Sequence, residues 1–137
     1  MTSDDAFHEL CAHTLGLRDA AFIHQHVVDA YAAQTATSAT KPITLAFALT
    51  GLCLRLDPGF TGRAVQRAHM RLAARKRVWP TFTLQIDRGA LTAAEVPATA
   101  PGAERAQAID AWCAAVWAAY GASHAAVAEF LRARGIA

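Results

Sequence analysis

The 137-residue sequence predicts an all-α protein: a helical bundle of four to five long helices with a long irregular loop laid over one end. Three observations predict it. Alanine and leucine are abundant while glycine and isoleucine are scarce, a composition that favours helix. Apolar residues recur at helical spacing through successive stretches. Those stretches are divided by breakers such as Gly16, "TATSAT", "DPG" and Gly121. The length suits a single domain, residues 1–137, able to bury a core without disulfide or metal staples.

Each element has a local reason. Ser3 is placed to cap a first helix through about Thr14, with Asp4 and Asp5 near its positive end. A second helix is expected from near Arg18 to about Gln34. Pro42 suits the first turn of a third, "ITLAFALTGLCLRL", which is apolar on nearly every side and is therefore expected at the centre of the bundle. Thr61 can cap a fourth helix reaching about Arg77, where Trp79 and Pro80 break it. Between Val78 and Gly102 the pattern is irregular: "TFTLQI" alternates like a short strand, and "TAAE" at 92–95 resembles a capping box. Loops of this length in small domains tend to be functional. Glu104 to Tyr120 forms a fifth helix, and Ser123 caps a sixth that ends near Arg134.

Charge and cysteine content narrow the function classes. A formal net charge of +2 does not by itself imply a polyanion partner. The start "MTSDDAFHEL" lacks the basic, then apolar, pattern of a signal peptide, and no apolar run reaches the roughly 20 residues needed to span a bilayer, so a cytoplasmic protein without a membrane partner is expected. Cys11, Cys53 and Cys113 are far apart in apolar helices and read as buried free thiols. Without a C-x-x-C pair there is no zinc ribbon.

The histidines carry the site hypothesis. On the second helix Ala20, Ile23, Val27, Tyr31 and Gln34 share a face with His24 at its margin, which points His24 and Tyr31 inward. His26 and Asp29 fall on the other side, where Asp29 is expected to bond to backbone or to His26. His69 lies at the edge of the Val65, Ala68, Leu72 stripe, and His124 aligns with Val127, Ala128 and Leu131. His8 and His13 fall away from the apolar stripe of the first helix and read as surface residues. Three imidazoles from separate helices of a bundle could hold one divalent metal, zinc, nickel, iron or manganese, with a position left open for water or substrate. Tyr31, Gln34, Asp110 and Asp29 are the supporting candidates, and Trp79 at the mouth of the long loop is the candidate pocket-lining aromatic. Without a metal, the same histidines could transfer protons, oriented by a carboxylate.

Arg63, Arg67, Arg71 and Arg75 recur every fourth residue along the fourth helix, followed by Lys76 and Arg77, and no acidic neighbours on that helix neutralise them. The ridge reads as a solvated face, with a phosphate or nucleic-acid contact as the competing reading. Ile109, Trp112, Val116 and Tyr120 form a core stripe on the fifth helix.

Taken together, "HQHVVDAYAAQ", "LTGLCLRL", "HMRL", "VWP" and "AWCAAVWAAYGASH" resemble an uncharacterised bacterial family of small helical proteins over residues 20–130. The resemblance matches His24, Asp29, Tyr31, Gln34, His69, Trp79, Pro80, Trp117 and His124 to positions that carry these residue types in the family. Thr35 stands where the family usually has histidine, and the family's cysteine-rich beginning is absent. The family brings no chemistry with it. A more distant likeness to DinB-like metal-dependent bundles is one of fold alone. Three readings follow: a metal-dependent enzyme acting on a small molecule, a metal-free acid–base enzyme using histidine, and a non-enzymatic binding protein using the arginine ridge. Homo-oligomerisation is compatible with each.

Overall fold

The computed structural model describes residues 2–17, 19–74 and 79–136. Its helices are α1 (Ser3–Gly16), α2 (His24–Thr35), α3 (Pro42–Leu56), α4 (Gly62–Ala73), α5 (Gly102–Ala119) and α6 (His124–Ala133), with single 3-10 turns at Ala93–Glu95 and Gly121–Ser123. No strand occurs among the described residues. The all-α bundle expected from the sequence is the fold observed, with α3 at its centre touching α2, α4, α5 and α6. Nine of the residues of α3 are buried, from Leu45 to Leu54, which explains why its sequence shows no polar face.

Capping follows local chemistry. Thr2, rather than Ser3, caps α1, its hydroxyl accepting from the Asp5 amide while the Asp5 carboxylate accepts from the Thr2 amide. Thr61 caps α4 and Thr92 with Glu95 forms the expected capping box. Ser123 makes no side-chain cap to α6, because a 3-10 turn leads directly into the helix. The second helix begins at His24, later than expected, since Phe22 takes φ +57° and turns the chain there. The Ala21 carbonyl then accepts from the Arg63 amide at 2.8 Å, tying this turn to the start of α4. A Cβ at Gly62 would lie 1.8 Å from the Phe22 carbonyl oxygen, so only glycine permits this approach. The expected strand "TFTLQI" is instead extended chain anchored by the buried Phe82, and its segment is held down by Ala93 and Val96.

The largest fully buried side chains, Trp112 and Tyr120 of α5, sit on the predicted core stripe with Ile109 and Val116. Each contributes a few kcal/mol of apolar burial, on the order of 2–3 for a full side chain. Both also carry a polar atom that is satisfied: Trp112 Nε1 donates to Gln34 Oε1 at 3.0 Å and the Tyr120 hydroxyl donates to the Ala33 carbonyl at 2.7 Å. Cys53 and Cys113 are buried free thiols, and Cys11 is half-buried. No helix among the described residues is long and apolar enough to cross a membrane.

Candidate functional site

The buried face of α2 is not the one its bulky residues suggest. His26, Val27, Asp29, Ala30 and Ala33 face inward, whereas Tyr31 and His24 are only half-buried and Ala20 is exposed. α2 and α3 pack against each other, and both bury small residues, Ala30 and Ala33 on one and Ala46, Ala48 and Gly51 on the other, which allow a closer approach than a tyrosine face would. This rotation brings Asp29 into the core.

Asp29 is 3 % exposed, and its Oδ2 lies where a Cβ of residue 51 would be, 1.9 Å from that position. Gly51, a costly residue in mid-helix by about 1 kcal/mol, is thus explained by the carboxyl seated against it. Asp29 Oδ1 accepts from Gln25 Nε2 at 3.1 Å, but Oδ2 has no hydrogen-bond partner. Neither His26 nor a backbone amide bonds to it, contrary to expectation. Burial raises the carboxyl well above its ordinary value of 3.8, with the Gln25 bond opposing only in part. The folded chain therefore holds Asp29 as a neutral acid at pH values where a free carboxyl is charged.

A cavity of about 220 Å³ opens beside it, lined by Gln25, Asp29, Thr44, Phe47, Ala48 and His69. His69 comes from α4 and stacks on Phe47, with ring centroids 4.6 Å apart and planes 7° from parallel. Its Nε2 makes a long 3.5 Å contact with Thr50 Oγ1, whose hydroxyl donates to the Phe47 carbonyl and so accepts from the ring. That leaves Nδ1 to accept a proton. Burial lowers the His69 pKa to about 4, against a weaker opposing pull from the Phe47 backbone, so the ring is neutral near pH 7. Trp79 does not line this cavity, but meets Phe47 edge-on at 5.0 Å and supports its wall.

The three histidines do not meet. His24 Nδ1 lies 2.8 Å from Thr14 Oγ1 at the α1–α2 contact. His124 donates from Nε2 to the Trp117 carbonyl at 2.6 Å and stacks on the Trp117 ring at 3.9 Å. His69 alone reaches the cavity. The shared His24, His69, His124 metal site is therefore corrected: each ring takes a partner in its own neighbourhood, and no group of three or more His, Cys, Asp or Glu able to hold a metal occurs among the described residues.

Three other expected site residues, Tyr31, Gln34 and Asp110, do not line this cavity. Tyr31 stacks on Phe7 at 3.6 Å and its hydroxyl donates to Asp4 Oδ1 at 2.5 Å; that bond, with some burial, pushes the phenol up to about 12. Gln34 donates to the carbonyls of Leu91 and Arg88 at 2.6 and 3.3 Å and accepts from Trp112, which fixes the long segment to α2 and α5. Asp110 forms a two-point ion pair with Arg55, both contacts 3.0 Å, and does not line this cavity. On the ridge, Arg63, Arg67 and Arg71 are exposed; Arg63 bonds to Gln66 and lies over the Phe22 ring, and Arg71 reaches the Gly135 carbonyl. Arg75, Lys76 and Arg77 lie outside the described residues. His8 and His13 are exposed, as read from the sequence.

Sequence reasoning missed Gln25, Thr50 and Gly51 as partners of Asp29 and His69. The one available signal was a glycine in the middle of an otherwise apolar helix.

No curated protein and no solved structure matches the chain. The profile of a family of unknown function, DUF5946, matches residues 4–121, a span that includes α1 to α5 and with them Asp29, Gly51 and His69. The protein belongs to this family, as the resemblance of its motifs to an uncharacterised family of small helical proteins led us to expect.

Proposed function

We propose that the cavity between α2, α3 and α4 binds a small, largely apolar molecule bearing a carbonyl or similar acceptor oxygen and moves protons on it without a metal. The observation that carries this reading is Asp29, whose Oδ2 is buried without a partner and whose side chain lines a cavity together with the neutral imidazole of His69. An unpaired buried polar group costs on the order of 1–3 kcal/mol, so its retention favours a role in holding a ligand. A protonated carboxyl can donate a hydrogen bond, and a neutral imidazole with a free Nδ1 can accept a proton.

The two groups complement each other. Asp29 gives its proton to the carbonyl oxygen while Nδ1 of His69 takes one from the α-carbon next to the carbonyl; the product is an enol, facing a carboxylate and an imidazolium. Collapse back to the carbonyl returns both protons and regenerates the pair. The walls at Phe47, Ala48 and Ala32 are apolar, which suits an apolar ligand body. The metal-dependent reading would need a donor set that the described residues do not bring together.

The test uses cyclohexanone as probe, in D₂O near neutral pH. Amide shifts at Gln25, Asp29, Phe47 and His69 are expected on titration, together with exchange of the ketone's α-hydrogens above the buffer rate. His69→Ala should keep the binding shifts and lose the exchange; Asp29→Asn, whose amide still donates, should bind and exchange more slowly. Absence of any cavity shift with cyclohexanone, cyclohexanol and cyclohexanecarboxamide alike would overturn the reading.

A further inference from the structure

A second cavity, of about 290 Å³, lies on the other side of α2, between the turn at 19–23, the end of α3 and the first turn of α5. Its walls are apolar at Leu17, Ala21 and Ile23, and its polar groups include Arg55, Arg105 and His26. Among the described residues, Arg105 is a buried charge with little compensation. It is 8 % exposed, yet its guanidinium makes one hydrogen bond, from Nη1 to the Ala98 carbonyl at 3.0 Å, and Nε has no partner. No carboxylate forms an ion pair with it among the described residues. A buried cation without a counter-charge is costly, and a protein that keeps one supplies it with an anion from elsewhere.

Three further observations point the same way. His26 is 2 % exposed and its Nδ1 is also unpartnered, so a second buried polar atom faces this region. The 18-residue α5 begins at the cavity with Gly102, and its N-cap, Pro101, offers no side chain to the free amides of the first turn. Arg55 adds a second guanidinium held in place by Asp110. Opposing negative charge comes from Asp19, which lines the cavity but already accepts from the Ile23 amide at 2.9 Å, and from Asp110, which is committed to Arg55.

We propose that this cavity is a binding site for a small oxyanion, with Arg105 as its principal anchor and the α5 amides as secondary donors. Guanidinium and helix N-terminus both favour carboxylate and phosphate. The apolar walls favour a short aliphatic tail, so a monocarboxylate is the expected chemistry. This site shares no lining residue with the cavity of Asp29 and His69, and its test does not depend on that one.

The experiment titrates the full chain with sodium butyrate, inorganic phosphate and neutral butyramide at fixed ionic strength, following backbone amides and thermal midpoint. Butyrate should shift Ala21, His26, Gly102 and Arg105 and raise the midpoint, while butyramide should do neither. Phosphate binding at the same residues would also support the site and assign it to phosphate rather than to an acid with a tail. Arg105→Gln should weaken binding about tenfold or more, Arg105→Lys should restore part of it, and the exposed Arg67→Gln should leave it unchanged. If Arg105→Gln does not fold, the wild-type comparison of butyrate with butyramide decides alone. Equal effects of butyrate and butyramide, loss of binding in Arg67→Gln, or no response to either anion would overturn the proposal.

Discussion

Gln34, near the C-terminal end of α2, has both amide hydrogens and its carbonyl oxygen engaged, by Leu91, Arg88 and Trp112. Asp29, on the same helix less than two turns earlier, is more deeply buried and keeps one oxygen without a partner. The two residues were equal candidates for a site, and their surroundings separate them. A fully satisfied polar group ties elements together, so Gln34 serves the fold. A buried group left incomplete beside a cavity is the feature on which the proposed site rests, and that group is Asp29.

The sharpest way to break this comparison is to fill the space against which Asp29 rests. Gly51→Ala places a Cβ 1.9 Å from Oδ2, and we expect a loss of about 3 kcal/mol in urea unfolding, the cost of overpacking a core. In Asp29→Ala, Gly51→Ala the clash is removed, and the double mutant should recover part of that loss, a coupling that a double-mutant cycle measures. Additive losses would show that Asp29 is not seated on Gly51.

Next in size, Gln34→Ala leaves Trp112 Nε1 buried without a partner and releases the carbonyls of Arg88 and Leu91. A loss of about 2–3 kcal/mol is expected, with earlier proteolytic cleavage within residues 79–101. Stability unchanged within error would remove Gln34 from its structural role.

The third prediction concerns pH. Because the folded state raises the Asp29 pKa, native protein binds a proton that unfolded chain releases above pH 3.8, and the stability contributed by this group is lost as pH rises toward the folded value. Asp29→Asn removes this dependence, so its stability relative to wild type should increase with pH by up to about 1.4 kcal/mol per unit in that interval. His69 acts with the opposite sign: its pKa is lowered to about 4, so its contribution is complete above pH 6.5 and is lost as pH falls toward 4. His69→Ala should accordingly flatten the acid limb of the stability curve, read by denaturant midpoints across that range. The smallest effect is expected for Tyr31→Phe, which removes a bond at the exposed edge of the α1–α2 contact and should cost about 0.5–1 kcal/mol.

Much of the fold was legible because helix periodicity and breakers are local. The central helix, the α5 stripe of Ile109, Trp112, Val116 and Tyr120, and the Thr61 and Thr92 caps depend on nearby residues, and all were read from them. The start of α2 was not, because the positive φ of Phe22 is imposed by Gly62 and Arg63, some forty residues away in sequence. The site was legible in part. His69 and Asp29 were named, but a helical wheel weights bulky side chains, and the inward face of α2 includes the small Ala30 and Ala33, with Asp29 seated against Gly51 of α3. That rotation carries Asp29 inward and Tyr31 outward. It also separates His24 from His69, since a wheel assigns a face to each helix but not the neighbour that face meets.

The most direct test of the account is the protonation state of Asp29. Chemical-shift titration of ¹³C-labelled aspartate carboxyls, with Asp29→Asn to assign the signal, should show one carboxyl that stays protonated well above the ordinary carboxyl value of 3.8. An Asp29 signal that titrates near 3.8 would mean a charged carboxylate, and would contradict both the neutral acid and the proton-transfer pair built on it.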